Sequence, residues 1–295
     1  ILQNSLSYFQ IAKESFAQTE LEEKGTHYSF GAPITGVVAL RKHIVVTFGD
    51  GNIRFFCPKL TSYTTLKAHD DVILSLASHQ ECVVTGGDDG NFLEIIGTSS
   101  IKKIASFNSK WVDCVAVSSG IKACSSGSAV YVWSKDAQEP TILKHTSTVG
   151  GLAFDKKGKL LAVAHYGGAT IWKKAHGQWQ STKLNWKGSH SAITLSPDGK
   201  YVVTAMQENA LHGWRLKDKT NLAMNGYPSK IKSLTWSGNT PYLVTSGSDE
   251  AICWPFDGKD GPMGRPPVCV ANRDEQKVTC VQSLPNKKAI FVGFQ

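Results

Sequence analysis

One short pattern returns along most of this chain: a small or hydroxyl residue, a tight turn of Gly, Asp or Asn, then alternating residues that end on a bulky apolar one. Six copies occupy residues 47–56, 86–95, 123–133, 164–172, 205–214 and 246–254, and their last residues are 39, 38, 39, 42 and 40 positions apart. Such a period is near the roughly 40–45 residues of a four-stranded propeller blade and away from the helical repeats. A unit of this size cannot bury both faces of its strands alone, so the copies must stack. The chain is therefore expected to be all-β, with no helical insertions.

The interior of each unit repeats the same physics. Two runs of β-branched, aromatic and aliphatic residues flank a turn whose Gly, Asp or Asn tolerates positive φ, which gives two hairpin strands, b and c. Upstream of most hairpins lies a further alternating run, strand a, marked by Ile73 and Leu76, Val112 and Val115, Val149 and Leu152, Ile231 and Leu234, and Val278 and Val281. Residues 62–67, 101–107 and 141–144 carry lysines, as outer edge strands do, and are expected as strand d. Residues 257–267 hold prolines at 262, 266 and 267 and are expected as a loop after strand c of the sixth unit.

These residues resemble the WD40-repeat family. The similarity lies in the run from His145 through Val149 and Leu152 to Phe154, in His69 followed by Ile73, and in the four tryptophans Trp133, Trp172, Trp214 and Trp254 at the end of strand c. It covers about residues 32–295 and is degenerate. The family's blades are tied by a His, a hydroxyl residue, an Asp and a Trp; here the unit with His69, Thr85 and Asp88 ends in Ile95, and the unit with His145 has Ala164 where the hydroxyl belongs. The resemblance implies a seven-bladed β-propeller. Residues 277–295 supply two strands of the seventh blade, which is either incomplete in this chain or closed by an N-terminal strand at residues 26–30. The expected division is an N-terminal extension, 1–24, with Leu2, Leu6, Phe9 and Phe16 at helical spacing, and a propeller over 25–295.

Motifs for chemistry are few. None of the nine histidines forms an HxH, HExxH or mixed Cys/His spacing, and no nucleophile elbow, phosphate loop or dinucleotide fingerprint is present. No catalytic residue, metal site or cofactor is predicted. The seven cysteines are odd in number and form no CxxC pair, which suits buried thiols in a reducing, cytoplasmic setting better than a disulfide framework. The apolar runs are far shorter than the roughly 20 residues of a membrane span.

Charge is the remaining clue. The net charge is +8, and residues 173–295 hold 16 Lys or Arg against 9 Asp or Glu, a net of +7, against +3 for residues 32–172. An electropositive sector of this kind attracts an acidic protein or RNA, although lysines scattered in loops serve solubility equally well.

The function expected is a non-catalytic scaffold that presents its loops to protein partners. The alternatives are an enzyme or small-ligand propeller with a site in the central channel, and a basic RNA-associated propeller. In the WD40 family the residues beside the first apolar position of strand a surround the channel on the common docking face. Carried over by resemblance, these positions are Asp71, Trp111, Asp113, Thr148, Lys230, Lys232, Lys277 and Thr279. Trp111 is the expected anchor, since an exposed indole offers a large apolar area with few rotamers.

Overall fold

A computed structural model describes residues 28–237, 241–272, 276–284 and 289–294; the 1–24 extension lies outside them. Every regular element among the described residues is a β-strand. Three antiparallel meanders come first. They are β1 (Ile34–Ala39), β2 (Ile44–Phe48), β3 (Asn52–Phe56) and β4 (Tyr63–Lys67), then β5 (Ile73–His79), β6 (Cys82–Gly87), β7 (Asn91–Ile96) and β8 (Ser100–Ser106), then β9 (Cys114–Ser118), β10 (Ile121–Ser126), β11 (Ala129–Trp133) and β12 (Thr141–Lys144). A six-stranded sheet follows, made of β13 (Val149–Phe154), β14 (Leu160–Ala175), β15 (Gln178–Leu195), β16 (Tyr201–Met206), β17 (Leu211–Arg215) and β18 (Thr220–Met224). The last sheets are β19 (Leu234–Trp236), β20 (Tyr242–Thr245), β21 (Ala251–Pro255) and β22 (Val268–Val270), and the pair β23 (Val278–Ser283) and β24 (Ile290–Phe294). Residues 256–267 form the expected loop between β21 and β22.

The arrangement is propeller-like, but five blades of four or more strands are found among the described residues, not the seven that the resemblance implies. The reason lies in β14 and β15, which run through positions that are turns in other units. β14 pairs with β13 through residues 161–165 and with β15 through 166–175. It bends at Gly167 and Gly168, with φ of 88° and 133°, and the Lys174 amide donates to the Lys159 carbonyl across the bend. β15 then pairs with β14 up to Ser189 and with β16 from His190 onward. Two units are thereby joined in one sheet, and the last unit contributes only β23 and β24 among the described residues.

The first strand of each unit lies innermost. These inner strands touch in the cyclic order β1, β5, β9, β13, β15, β19, β23 and back to β1. Neighbours run parallel: Ser233 Oγ, just before β19, and Thr235 Oγ1 within it bond to Val281 and Ser283 of β23, while Cys114 and Ser118 of β9 reach the Val149 and Asp155 carbonyls. All the inner strands therefore start on one face of the molecule and end on the other.

Sheets stacked in this way bury strands b and c on both sides, so these strands read as continuous apolar runs and not as alternating ones. β16 is buried at all six positions, and β2, β3 and β6 at all but the first. Each seam holds its own cluster. Phe92 and Val84 of one sheet close on Val112, Cys124 and Trp133 of the next, and Val203, Leu211 and Leu222 close on Ile231 and Leu243. A fully buried side chain such as Phe92 contributes about 1.5–3 kcal/mol. The outer strands β4, β8 and β12 are mostly exposed, consistent with their lysines.

The b–c turns use glycine for close approach. Gly51 and Gly90 have φ of 77° and 75°, and their carbonyls accept the amides of Ala68 and Phe107 at the end of strand d. A Cβ there would lie 2.2 Å from the His69 carbonyl oxygen and 2.0 Å from that of Asn108, so no larger residue fits.

The expected closing strand at 26–30 is not formed by its described part. Tyr28 and Phe30 pack on the first sheet, with ring centroids 5.5 Å and 6.0 Å from Phe56, and the Tyr28 hydroxyl donates to the Leu60 carbonyl. They cover the face of that sheet turned away from β5–β8, where Arg54 lies 4.2 Å from the centroids of both Phe30 and Phe48. β23 touches β1 on this side, and the preceding aromatics add their rings over Phe48 and Phe56.

Candidate functional site

Four of the segments that lead into the inner strands, those entering β5, β13, the β16-paired part of β15, and β19, are held by polar networks. His69 bonds Thr85 through Nε2 and Asp89 through Nδ1, both at 2.9 Å. Asp89, not the expected Asp88, is the acidic member, because it turns inward while Asp88 sits beside Asp71. Burial opposes the charge on Asp89, yet bonds from His69 and Asn91 hold its carboxyl down at about 2; burial, Asp71 and Asp89 push Asp88 up. In the fourth unit the Trp172 indole N–H donates to His145 Nε2 at 3.0 Å, and His165 Nε2 meets Thr170 at 2.8 Å. His190 meets Thr204 at 2.7 Å in the fifth, and Tyr227 meets both Thr245 and Trp254 at 2.6 Å in the sixth. Each of these networks ties the segment before an inner strand to strand b, strand c or the turn between them, which fixes those four segments.

That face carries the residues expected from the sequence. Asp71, Trp111, Asp113, Thr148, Lys230, Lys232 and Lys277 lie in the segments that enter β5, β9, β13, β19 and β23, and Thr279 is the second residue of β23. Asp71, Trp111, Thr148 and the three lysines are exposed, whereas Asp113 and Thr279 are half-buried. Burial raises the Asp113 carboxyl above its ordinary value, and the Thr279 hydroxyl donates to the Gly293 carbonyl, so both are partly engaged within the fold. Trp111 is 59% exposed, while its neighbour Val112 is fully buried and donates to the Gly87 carbonyl. Lys230 and Lys232 precede β19, next to Lys277 at β23 in the ring. Trp111 enters β9, and β13 and β15 stand between it and the lysines.

No protein-family model matches the chain, and no curated protein matches it.

Two further aromatics stand at the same end. Tyr166 is 61% exposed at the bend of β14, where its amide donates to Ser147 Oγ, and the preceding His165 pairs with Val149 at the start of β13. Trp186 is 40% exposed and stacks on His212 at 3.8 Å, with its carbonyl 3.1 Å from His190 Nε2. The repeat pattern does not reveal them, because both sit in the stretch where two units merge. The usable signal was glycine beside an aromatic: Gly167 follows Tyr166 and Gly188 closely follows Trp186.

Other chemistry is sparse. Among the described residues no three His, Cys, Asp or Glu side chains gather as a metal-holding group, and no helix is long and apolar enough to cross a membrane. All seven cysteines are free. The expected burial holds for only some of them. Cys124 and Cys253 are buried, Cys269 is exposed, and Cys57 lies in the turn after β3, where bonds from Thr61 and Ser62 lower its thiol to about 6.

Proposed function

We propose that this chain is a WD40-like propeller that acts as a non-catalytic scaffold, docking protein partners on the face where the inner strands begin. The observation that carries this reading is Trp111, a large indole held in solvent by a fully buried neighbour, Val112, whose amide donates to the Gly87 carbonyl and whose carbonyl accepts from Ser75 Oγ. Tyr166 and Trp186 extend the apolar contact area on that face. Lys230, Lys232 and Lys277 add positive charge that steers an acidic partner. The His69–Thr85–Asp89 and His145–Trp172 networks support the WD40 resemblance, and seven free thiols favour a reducing, cytoplasmic setting.

Affinity capture from native cells, with wild type and Trp111→Ala compared quantitatively, tests the reading. Partners retained by wild type and lost by the variant support it. An identical partner set with both baits refutes this docking face.

A further inference from the structure

The opposite face, where the inner strands end, holds a cleft of about 900 Å³ that brings together residues of the fourth, fifth and sixth repeat units. Asp198 reaches it from the turn after β15, Tyr201 from the start of β16, Leu160 from the start of β14, and Pro241 from just before β20. Its floor is apolar. Leu160, Ile171, Leu184 and Leu216 all belong to the seam between the fourth and fifth units, and Tyr201 and Phe256, both buried, meet edge to face at 5.2 Å.

The rim is cationic, and part of that charge is already used. Lys200 pairs with Asp198, Arg265 with Asp257, and Arg215 with both Asp218 and Asp260. Arg215 and the Tyr201 hydroxyl also donate to the Lys259 carbonyl, which pins the turn after β21 against the fifth unit. These pairs neutralise the carboxylates of the wall. Lys173, Lys217, Lys219 and Lys259 line the cleft, are exposed, and have no carboxylate partner among the described residues.

We propose that this cleft binds an acidic peptide segment, with one large apolar side chain seated on Leu160, Ile171 and Leu184 and its carboxylates held by Lys173, Lys217, Lys219 and Lys259. The volume lies within the range of pockets that bury a ligand, and an apolar floor with a few charged groups at the edge selects a ligand of mixed character. A simple anion leaves the floor unfilled. A nucleic acid is disfavoured because the guanidinium that would grip phosphate bidentately is committed to Asp218 and Asp260, and the aromatic rings of the wall are buried in the seam instead of being free to stack on bases. Four flexible lysines without partners are matched by glutamates or aspartates, whose positions along a peptide can adapt to them.

The test is a fluorescence-anisotropy titration of the full chain with a fluorescein-labelled peptide in which a leucine-phenylalanine pair is flanked on each side by three glutamates. Saturable binding is expected, weakened about 10-fold or more by the triple variant Lys217→Glu, Lys219→Glu, Lys259→Glu. These side chains are exposed, and circular dichroism checks that the variant keeps its fold. Replacing the apolar pair of the probe by two serines should weaken binding by a similar factor, and raising salt should weaken it through screening. Trp111→Ala, on the other face, should leave it unchanged. The proposal is overturned by absence of saturable binding, by equal affinity of the triple variant, or by equal affinity of the serine probe, which would reveal a charge patch without a pocket. It is also overturned by loss of binding in Trp111→Ala, or by a labelled oligouridylate that binds more tightly than the peptide and is released by the triple variant.

Discussion

The indole N–H of Trp254 donates to the hydroxyl of Tyr227, 27 residues earlier, at 2.6 Å, and the same separation joins Trp172 to His145 at 3.0 Å. A tyrosine thus occupies in the sixth unit the place that a histidine holds in the fourth. Its hydroxyl also pairs with Thr245, so one oxygen ties the segment before the inner strand to strands b and c. Burial raises the phenol to about 12, which keeps it neutral at every ordinary pH.

Removing that oxygen leaves the Trp254 N–H and the Thr245 hydroxyl without it. Tyr227→Phe should therefore destabilise the protein by about 1–3 kcal/mol with little change in volume. Urea unfolding of the variant checks this, and a midpoint equal to that of wild type would show that the network contributes nothing.

Acid should weaken the fold before its carboxylates titrate. Burial lowers His145 to about 4, aided by His165; burial lowers His212 to about 4, aided by His190; and burial lowers His190 as well. In the unfolded chain these groups titrate near 6.5, so below that pH the unfolded state binds more protons. Stability from these three is fully present above about 6.5 and is lost as pH falls below it, for His145 and His212 down to about 4. Thermal midpoints should drop by at least roughly 2–4 °C between pH 7.5 and pH 5. A midpoint flat across that interval would contradict the burial of neutral imidazoles.

Cysteine reactivity should be uneven. Cys57 is held at about 6 by Thr61 and Ser62, whereas burial pushes Cys114 up to about 12 and, with Glu94, Cys82 to about 11. Iodoacetamide at neutral pH should modify Cys57 first, with a rate that rises through pH 6, and Thr61→Ala should move that rise upward. Peptide mapping by mass spectrometry after short exposures decides it; uniform labelling would refute the hydrogen-bonded thiolate.

Once a partner is isolated, Trp111→Ala should cost roughly 2 kcal/mol or more in binding if the indole is an anchor. Reversal of Lys230 or Lys277 should instead slow association, and do so less at high salt. Surface plasmon resonance separates the two effects, and a Trp111 variant that changes neither rate rules the anchor out.

Much of this molecule was legible in its repeat. The turn glycines, the strand-c tryptophans and the lysines of the outer strands are local signals, since a tight turn, a buried seam and a wet edge each demand particular residue types at that position. The eight proposed docking positions came from the offset that the family resemblance supplies, and the parallel inner strands put the segments that hold them at one end of the molecule. Tyr227 was missed because a phenol in place of an imidazole satisfies the same donor and acceptor without matching the pattern.

The amino-acid sequence by itself determined that short antiparallel strands must stack into repeating units, because their period and turns allow little else. The tertiary structure decided how many separate sheets result, since β14 and β15 continue pairing through Tyr166 and Ser189 and merge two units. It also decided that Asp89 pairs with His69, that Tyr28 and Phe30 cover the first sheet, and that six lysines and arginines from three repeat units meet over an apolar floor. Local propensity sets backbone conformation, but pairing, burial and charge meet across units, and only the closed arrangement of the chain brings those partners within reach.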